Sequence, residues 1–315
     1  MTEYVIVDAH MHTYPTAEAG RLAMTLSPGQ AGYVGTIEEA LAALEKGNIA
    51  KGLMTNTLPV AYMRDGLEAK LPRDLTAEAR RTAEEEITQT IIGRQQRQNL
   101  WTCQVAKENL SLYATIAVHP IMGAELMRQE IRDKVSNHDA KGIKLHPSIG
   151  RYYPNDHVMW PVYETASELD IPILFHCGPH PNPLDRSIPA EYTRPSQYEE
   201  VLASFPKLKI VLAHMGVGAD PEFPQLYQPY YDEAMAMAKK HPGLYFDLSD
   251  AIGAFMPDAD FLHMVREVGV QRIMFGSDFP WFDPGTIAEA VKKLALGEEE
   301  KRLVLGENAI RLYKL

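Results

Sequence analysis

YVIVDAHMH, residues 4–12, runs as an apolar strand and then sets Asp8, His10 and His12 at alternate positions. Side chains two apart lie on one face of a strand. Burying three polar groups together is costly unless something binds them. A metal ion would meet that need, and so would ordinary hydrogen bonds, so the rest of the chain has to decide between them.

This strand is the first of a series. After a Gly-rich loop, TIEEALAALEKG at 36–47 has the pattern of a capped helix. Thr36 and Glu39 have capping-box spacing, Ile37, Leu41 and Leu44 form one stripe, and Gly47 supplies the stop. The alternation then recurs, with strands expected in 50–58, 111–120, 140–147, 171–178, 207–216, 244–250 and 272–278. Between them lie helical patterns. The segment 160–170 puts Val162, Tyr163, Ala166 and Leu169 on one face, and at 283–294 Asp283 and Pro284 suit the N-cap and the first helical position. Eight apolar strands alternating with helices predict an α/β fold with a parallel sheet covered by helices. Eight is the number that closes a (β/α)8 TIM-type barrel, and a doubly wound open sheet is the competing architecture. Residues 59–110 are rich in helix formers and read as a helical insertion after the second strand, over the barrel mouth and within a single domain spanning 1–315. Its run Glu84, Glu85, Glu86 reads as a solvated face.

Composition narrows the function classes. With 45% hydrophobic and 23% charged residues, a chain of 315 residues can bury a large core, so disorder is not the expectation. Its 31 basic and 42 acidic residues leave a net charge of −11, which repels phosphate backbones and anionic membrane surfaces. No nucleic acid and no membrane are therefore expected as partners, a small-molecule substrate is, and homo-oligomerisation stays open. No apolar run reaches the ~18 residues of a spanning helix, and MTEYVIVDAH lacks the features of a signal peptide, so a cytoplasmic location is expected. Cys103 and Cys177 are too few for a disulfide framework or a cysteine zinc site and read as core residues.

The chemistry emerges when polar residues are mapped onto strand ends. His10 and His12 close the first expected strand, His119 the third, Lys144 and His146 the fourth, His176 the fifth, His214 the sixth and Asp278 the eighth. Any one of them fits a hydrogen-bonded core or rim residue. Together they gather at the carboxyl ends, where barrel enzymes keep their active sites, while His138, His157, His241 and His263 fall in helical or loop text. Neutral imidazoles with a carboxylate make a divalent-metal site that can leave positions open.

HMH after an apolar strand, then GIKLHP, ILFHCG, VLAHMG and MFGSDFP in that order, resemble the amidohydrolase superfamily. The resemblance is strongest to the amidohydrolase-related branch of aminocarboxymuconate-semialdehyde decarboxylase-like enzymes. It implies a distorted barrel and one divalent metal held by His10, His12, His176 and Asp278. Zinc is the first expectation and manganese or iron the alternatives. It also implies that His214 stands beside the metal and acts on water or substrate. A second metal bridged by a carboxylated Lys144 is the lesser alternative.

The leading expectation from this set is hydrolysis of an amide, ester or lactone bond by a metal-bound water. Asp278 would take its proton and His214 would act as base or polarise the carbonyl. Asp8 would either hold a histidine tautomer or satisfy backbone donors. The alternative is non-oxidative decarboxylation of a small carboxylic acid, which needs a fixed cation. Arg64, Arg151, Arg186 and Arg194 are the loop candidates, and no arginine lies inside a strand-end motif, which favours hydrolysis. Lys144, His146, His119, His180 and Trp281 are the candidates for contact with substrate. A non-catalytic binding protein with a structural metal is the remote third reading, because structural zinc sites are usually cysteine-rich and local in sequence.

Overall fold

The computed structural model describes residues 4–26, 31–178, 190–218, 224–251 and 256–315, and the statements below concern those residues. The apolar runs form β1 (Val7–Met11), β2 (Lys51–Met54), β3 (Leu112–Ile116), β4 (Gly142–Leu145), β5 (Ile173–Phe175), β6 (Ile210–Leu212), β7 (Leu244–Asp247) and β8 (Ile273–Met274). They pair in chain order, every pair parallel. Just past β8 the chain returns to β1. Phe275 O accepts from Ala9 N at 2.9 Å, His10 O accepts from Asp278 N at 2.9 Å, and Met11 bridges Phe279 in parallel. The expected TIM-type barrel is therefore what forms, and the distortion is a register shift between Asp8 and Met11.

Strand alternation sorts the core into two layers. In β5, Ile173 and Phe175 join the large cluster shared with the helices, while Leu174 between them joins a smaller one with Val7, Leu53, Val211 and Met274. In β4, Ile143 and Leu145 take the large-cluster face, which puts Lys144 in register with Leu174 and next along with Val211. A lysine thus stands where its neighbours carry aliphatic side chains.

The helices follow their local signals. The helix Ile37–Lys46 has both arms of the capping box between Thr36 and Glu39, and Asp283 caps the helix Pro284–Lys293 through Thr286 N. The second connection is helical, with segments at Val60–Glu68 and Ala77–Glu108. The longer one buries Ile87, Ile91, Gln95, Asn99 and Cys103 at i, i+4 spacing. Asn99 acts as a strand surrogate at the end of β3, bonding both Ala117 N and Ala117 O at 2.9 Å, and Thr102 accepts from Asn56 beyond β2. The insertion therefore also serves as the barrel's own helix between β2 and β3. Cys103 and Cys177 are buried free thiols. Among the described residues no helix is long and apolar enough to cross a membrane.

Candidate active site

At the carboxyl rim, His10 is fixed from behind. Its Nδ1 lies 3.0 Å from Asp247 Oδ2 and 2.9 Å from Ser249 Oγ. An ionised carboxylate only accepts, so the proton is assigned to Nδ1 and the lone pair to Nε2. That Nε2 lies 3.2 Å from His12 Nε2 and 3.4 Å from Asp278 Oδ1, which is itself 3.4 Å from His12 Nε2. With ligand bonds of roughly 2.0–2.2 Å, adjacent ligands of a tetrahedral or octahedral ion stand about 3.0–3.5 Å apart. The triad His10, His12 and Asp278 therefore fits a divalent ion.

Protonation agrees with that fit. Burial holds His10 down at about 4 and also lowers His12. Burial by itself would raise Asp278, but its contact with His12 and the neighbouring imidazoles of His10 and His214 hold it well below the usual carboxylate range. Asp247 is likewise held down, at about 2: burial opposes this, and the charge and hydrogen bond of His10 outweigh it. Neutral rings facing an ionised carboxylate are the state a cation requires. The packing is tight here, since a Cβ on Gly276 would lie 2.8 Å from His10 Cβ. A side chain at 276 would push β1 and β8 apart.

Lys144 is wholly buried, with Nζ 2.9 Å from His10 Nε2. Burial lowers its pKa to about 8, against the opposing charges of Asp247 and Asp278. His146, two residues on, stacks on His176 with ring centroids 3.9 Å apart and planes 8° from parallel. His176 joins the cluster through His214, its Nδ1 3.0 Å from His214 Nε2, and lies outside the close triad. On the other edge of the ring, His214 Nδ1 meets Ser249 O at 2.9 Å. His214, Asp250 and Asp278 form a second close group, with one donor atom from each within 4.8 Å of the others.

The remaining expected residues divide. Asp8 satisfies backbone donors, accepting from His10 N at 3.1 Å and Ser277 N at 2.9 Å, and burial pushes its carboxyl up to about 7. The tautomer anchor is Asp247 instead. His119 uses both ring nitrogens on backbone, with Nε2 2.9 Å from Gly150 O and Nδ1 accepting from Ile121 N at 3.1 Å, and burial lowers it to about 4. It nevertheless lines a small cavity with Lys144, His146, Gln95 and Tyr152. Trp281 meets the His12 ring edge-on, centroids 5.3 Å apart. Arg64, Arg151 and Arg194 pair with Glu68, Asp65 and Glu233 respectively. His180 and Arg186 lie outside the described residues.

Asp247, Ser249 and Asp250 escaped the sequence reading. The signal was present, since LYFDLSD places Asp247 and Ser249 two apart at a strand end, as VDAHMH does with its polar residues. Acids and serines at strand ends also cap helices and start turns, so the pattern did not distinguish itself.

A parallel eight-stranded barrel that gathers two imidazoles and a carboxylate at its carboxyl rim has the architecture of a metal-dependent barrel enzyme. The chain belongs to the amidohydrolase family, whose model matches residues 7–315. It is 22% identical over 250 residues to gamma-resorcylate decarboxylase of Polaromonas sp. strain JS666, spanning 67% of this chain and 73% of the relative. A 2,6-dihydroxybenzoate decarboxylase structure complexed with 2,6-dihydroxybenzoate superposes with a TM-score of 0.71 at 16% identity, covering 99% of this chain and all 100% of the other. A dihydroxybenzoic acid decarboxylase from Polaromonas sp. JS666, with bound manganese and the inhibitor 2-nitroresorcinol, gives 0.70 at 14% identity, covering 99% and 98%. The solved structures establish the barrel.

These relatives overturn hydrolysis of an amide, ester or lactone as the leading expectation, since each is a decarboxylase. The expectation failed for a physical reason. The ligand set serves both reactions, and the case against decarboxylation weighed arginines alone as the fixed cation, although Lys144, a substrate-contact candidate, is a buried lysine inside β4.

Proposed function

We propose that the protein is a metal-dependent, non-oxidative decarboxylase of small aromatic carboxylic acids. The observation that carries this reading is Lys144, a cation fixed in the barrel interior 2.9 Å from the triad's His10. Hydrolysis of a neutral bond needs no such group, whereas a substrate carboxylate does. The activities of the relatives support the same reading.

His10, His12 and Asp278 would hold the ion, and the manganese of the Polaromonas structure favours manganese over zinc. Such an ion, when bound, would supply Lewis-acid stabilisation of the negative charge that develops as the substrate's C–C bond breaks. Asp247 and Ser249 keep His10 in the tautomer that leaves Nε2 free of hydrogen. Lys144 draws in and orients the substrate carboxylate. As the bond between ring carbon and carboxyl carbon breaks, its electron pair stays on the ring and CO2 departs. His214, held through Nδ1 on the Ser249 carbonyl, then delivers a proton from Nε2 to that carbon. The ionised Asp278 stabilises the imidazolium before transfer. Trp281 and the stacked His146 and His176 supply flat walls for an aromatic ring.

The test is turnover of hydroxylated benzoates by manganese-loaded protein in deuterated water. Stoichiometric CO2 with one deuterium on the former carboxyl carbon is the expected result. Absence of CO2, together with oxygen-18 from labelled water entering an acid released from lactones or amides, would defeat the reading.

A further inference from the structure

We infer that Asp250 selects for a hydroxyl group on the substrate's aromatic ring by accepting its hydrogen bond within the close group it forms with Asp278 and His214. This rests on the decarboxylase reading above and adds to it a residue that reads the ring.

Asp250 Oδ1 is buried and has no hydrogen-bond partner, and burial with the neighbouring charge of Asp278 pushes its carboxyl well above the usual range. A buried acceptor without a donor is costly, and the fold keeps it at a site. The surrounding backbone points the same way. His214, Asp250 and Asp278 all adopt the left-handed conformation, with φ of 57°, 57° and 61°, at the ends of three successive strands. Residues without the freedom of glycine hold that conformation at a cost. Three such residues turn their side chains into one space, with donor atoms within 4.8 Å of one another.

The ligand that completes this group is a neutral donor rather than a second cation. His214 already has both nitrogens engaged, Nδ1 with Ser249 O at 2.9 Å and Nε2 with His176 Nδ1 at 3.0 Å. The group therefore offers a further cation two carboxylates, one of them already in the His10–His12 triad. A ring hydroxyl gives Asp250 the hydrogen bond it lacks and adds no charge. A methyl ether or a bare ring position would leave the buried Oδ1 unanswered.

The experiment is calorimetric binding of the three monohydroxybenzoates, each beside its own methyl ether, to manganese-loaded wild type, Asp250→Asn and Asp250→Ala. Asn tolerates the left-handed backbone, so it keeps the comparison available if the Ala variant folds poorly. In wild type at least one hydroxy acid should bind about 10- to 100-fold more tightly than its ether, as expected when a buried acceptor would otherwise go unmet. The preference should shrink in Asn and vanish in Ala. A preference that persists in Asp250→Ala, or no preference in wild type, overturns the inference. A fall in manganese content in either variant also overturns it, by making Asp250 a metal ligand. CO2 release from the same wild-type samples is scored separately, so failure of the decarboxylase reading is distinguishable from failure of this one.

Discussion

Replacing Lys144 with Met should raise the affinity for a divalent ion while lowering decarboxylation. His10 Nε2 has one lone pair, because Nδ1 donates to Asp247, and Lys144 Nζ occupies it at 2.9 Å. A cation binding at the triad must displace that charged hydrogen bond, which is worth about 1.5–3 kcal/mol. Met fills a similar volume without a charge or a donor, so the ion should bind roughly 10- to 100-fold more tightly. The substrate carboxylate loses a bond of the same class, so kcat/KM should fall by a comparable ~10- to 100-fold. The fold should tolerate the change, because a methionine suits a layer built from Leu174 and Val211. The assay is titration of metal-free protein with manganese against a competing chelator, alongside CO2 release under metal saturation. Loss of metal in Lys144→Met would refute the reasoning, since it would make the lysine nitrogen part of the ligand set, as a carboxylated lysine would be.

Asp278→Asn should retain part of the metal and cut CO2 release by ~10²-fold or more; near-normal turnover with metal retained would remove the carboxylate from the chemistry. In Asp247→Asn the imidazole of His10 loses its charged acceptor, and manganese affinity should drop about 10- to 100-fold, whereas an unchanged titration would sink the tautomer argument. The pH dependence of stability gives an independent check at His119, which burial holds at about 4, below the ordinary histidine value of about 6.5. Between those values the unfolded chain binds more protons, so the contribution of this residue is full above pH 6.5 and is lost as pH falls toward 4. His119→Asn should flatten the thermal-denaturation curve over that window, and an identical slope in both proteins would contradict the buried neutral ring.

The barrel and much of the site were legible because both are written at short range. Every expected strand segment contains one of the eight strands, and the Thr36 and Asp283 caps operate as their spacing implies. His10 and His12 share a pocket because they sit two apart at one strand end, and Asp278 meets them because β8 returns beside β1. Less legible was Lys144, whose face could be read from β4 but whose contact with His10 spans 134 positions of chain. The relatives, each a decarboxylase, are what overturned hydrolysis, so the sequence leaned the wrong way on the reaction.

By itself the sequence determined what local periodicity and side-chain chemistry determine: alternating strands and helices, eight of them parallel, and imidazoles and a carboxylate at the same ends. Only the closed barrel decided which of those groups meet. Asp247 stands 237 positions from His10, and no spacing rule joins them. They touch because closure of an eight-stranded barrel brings every carboxyl end to one rim. There the left-handed turns at His214, Asp250 and Asp278 aim side chains across strands rather than along them. Period-two alternation sets the face of a residue within its own strand, whereas partnership across the pocket depends on register, closure and turn geometry, which are properties of the assembled sheet.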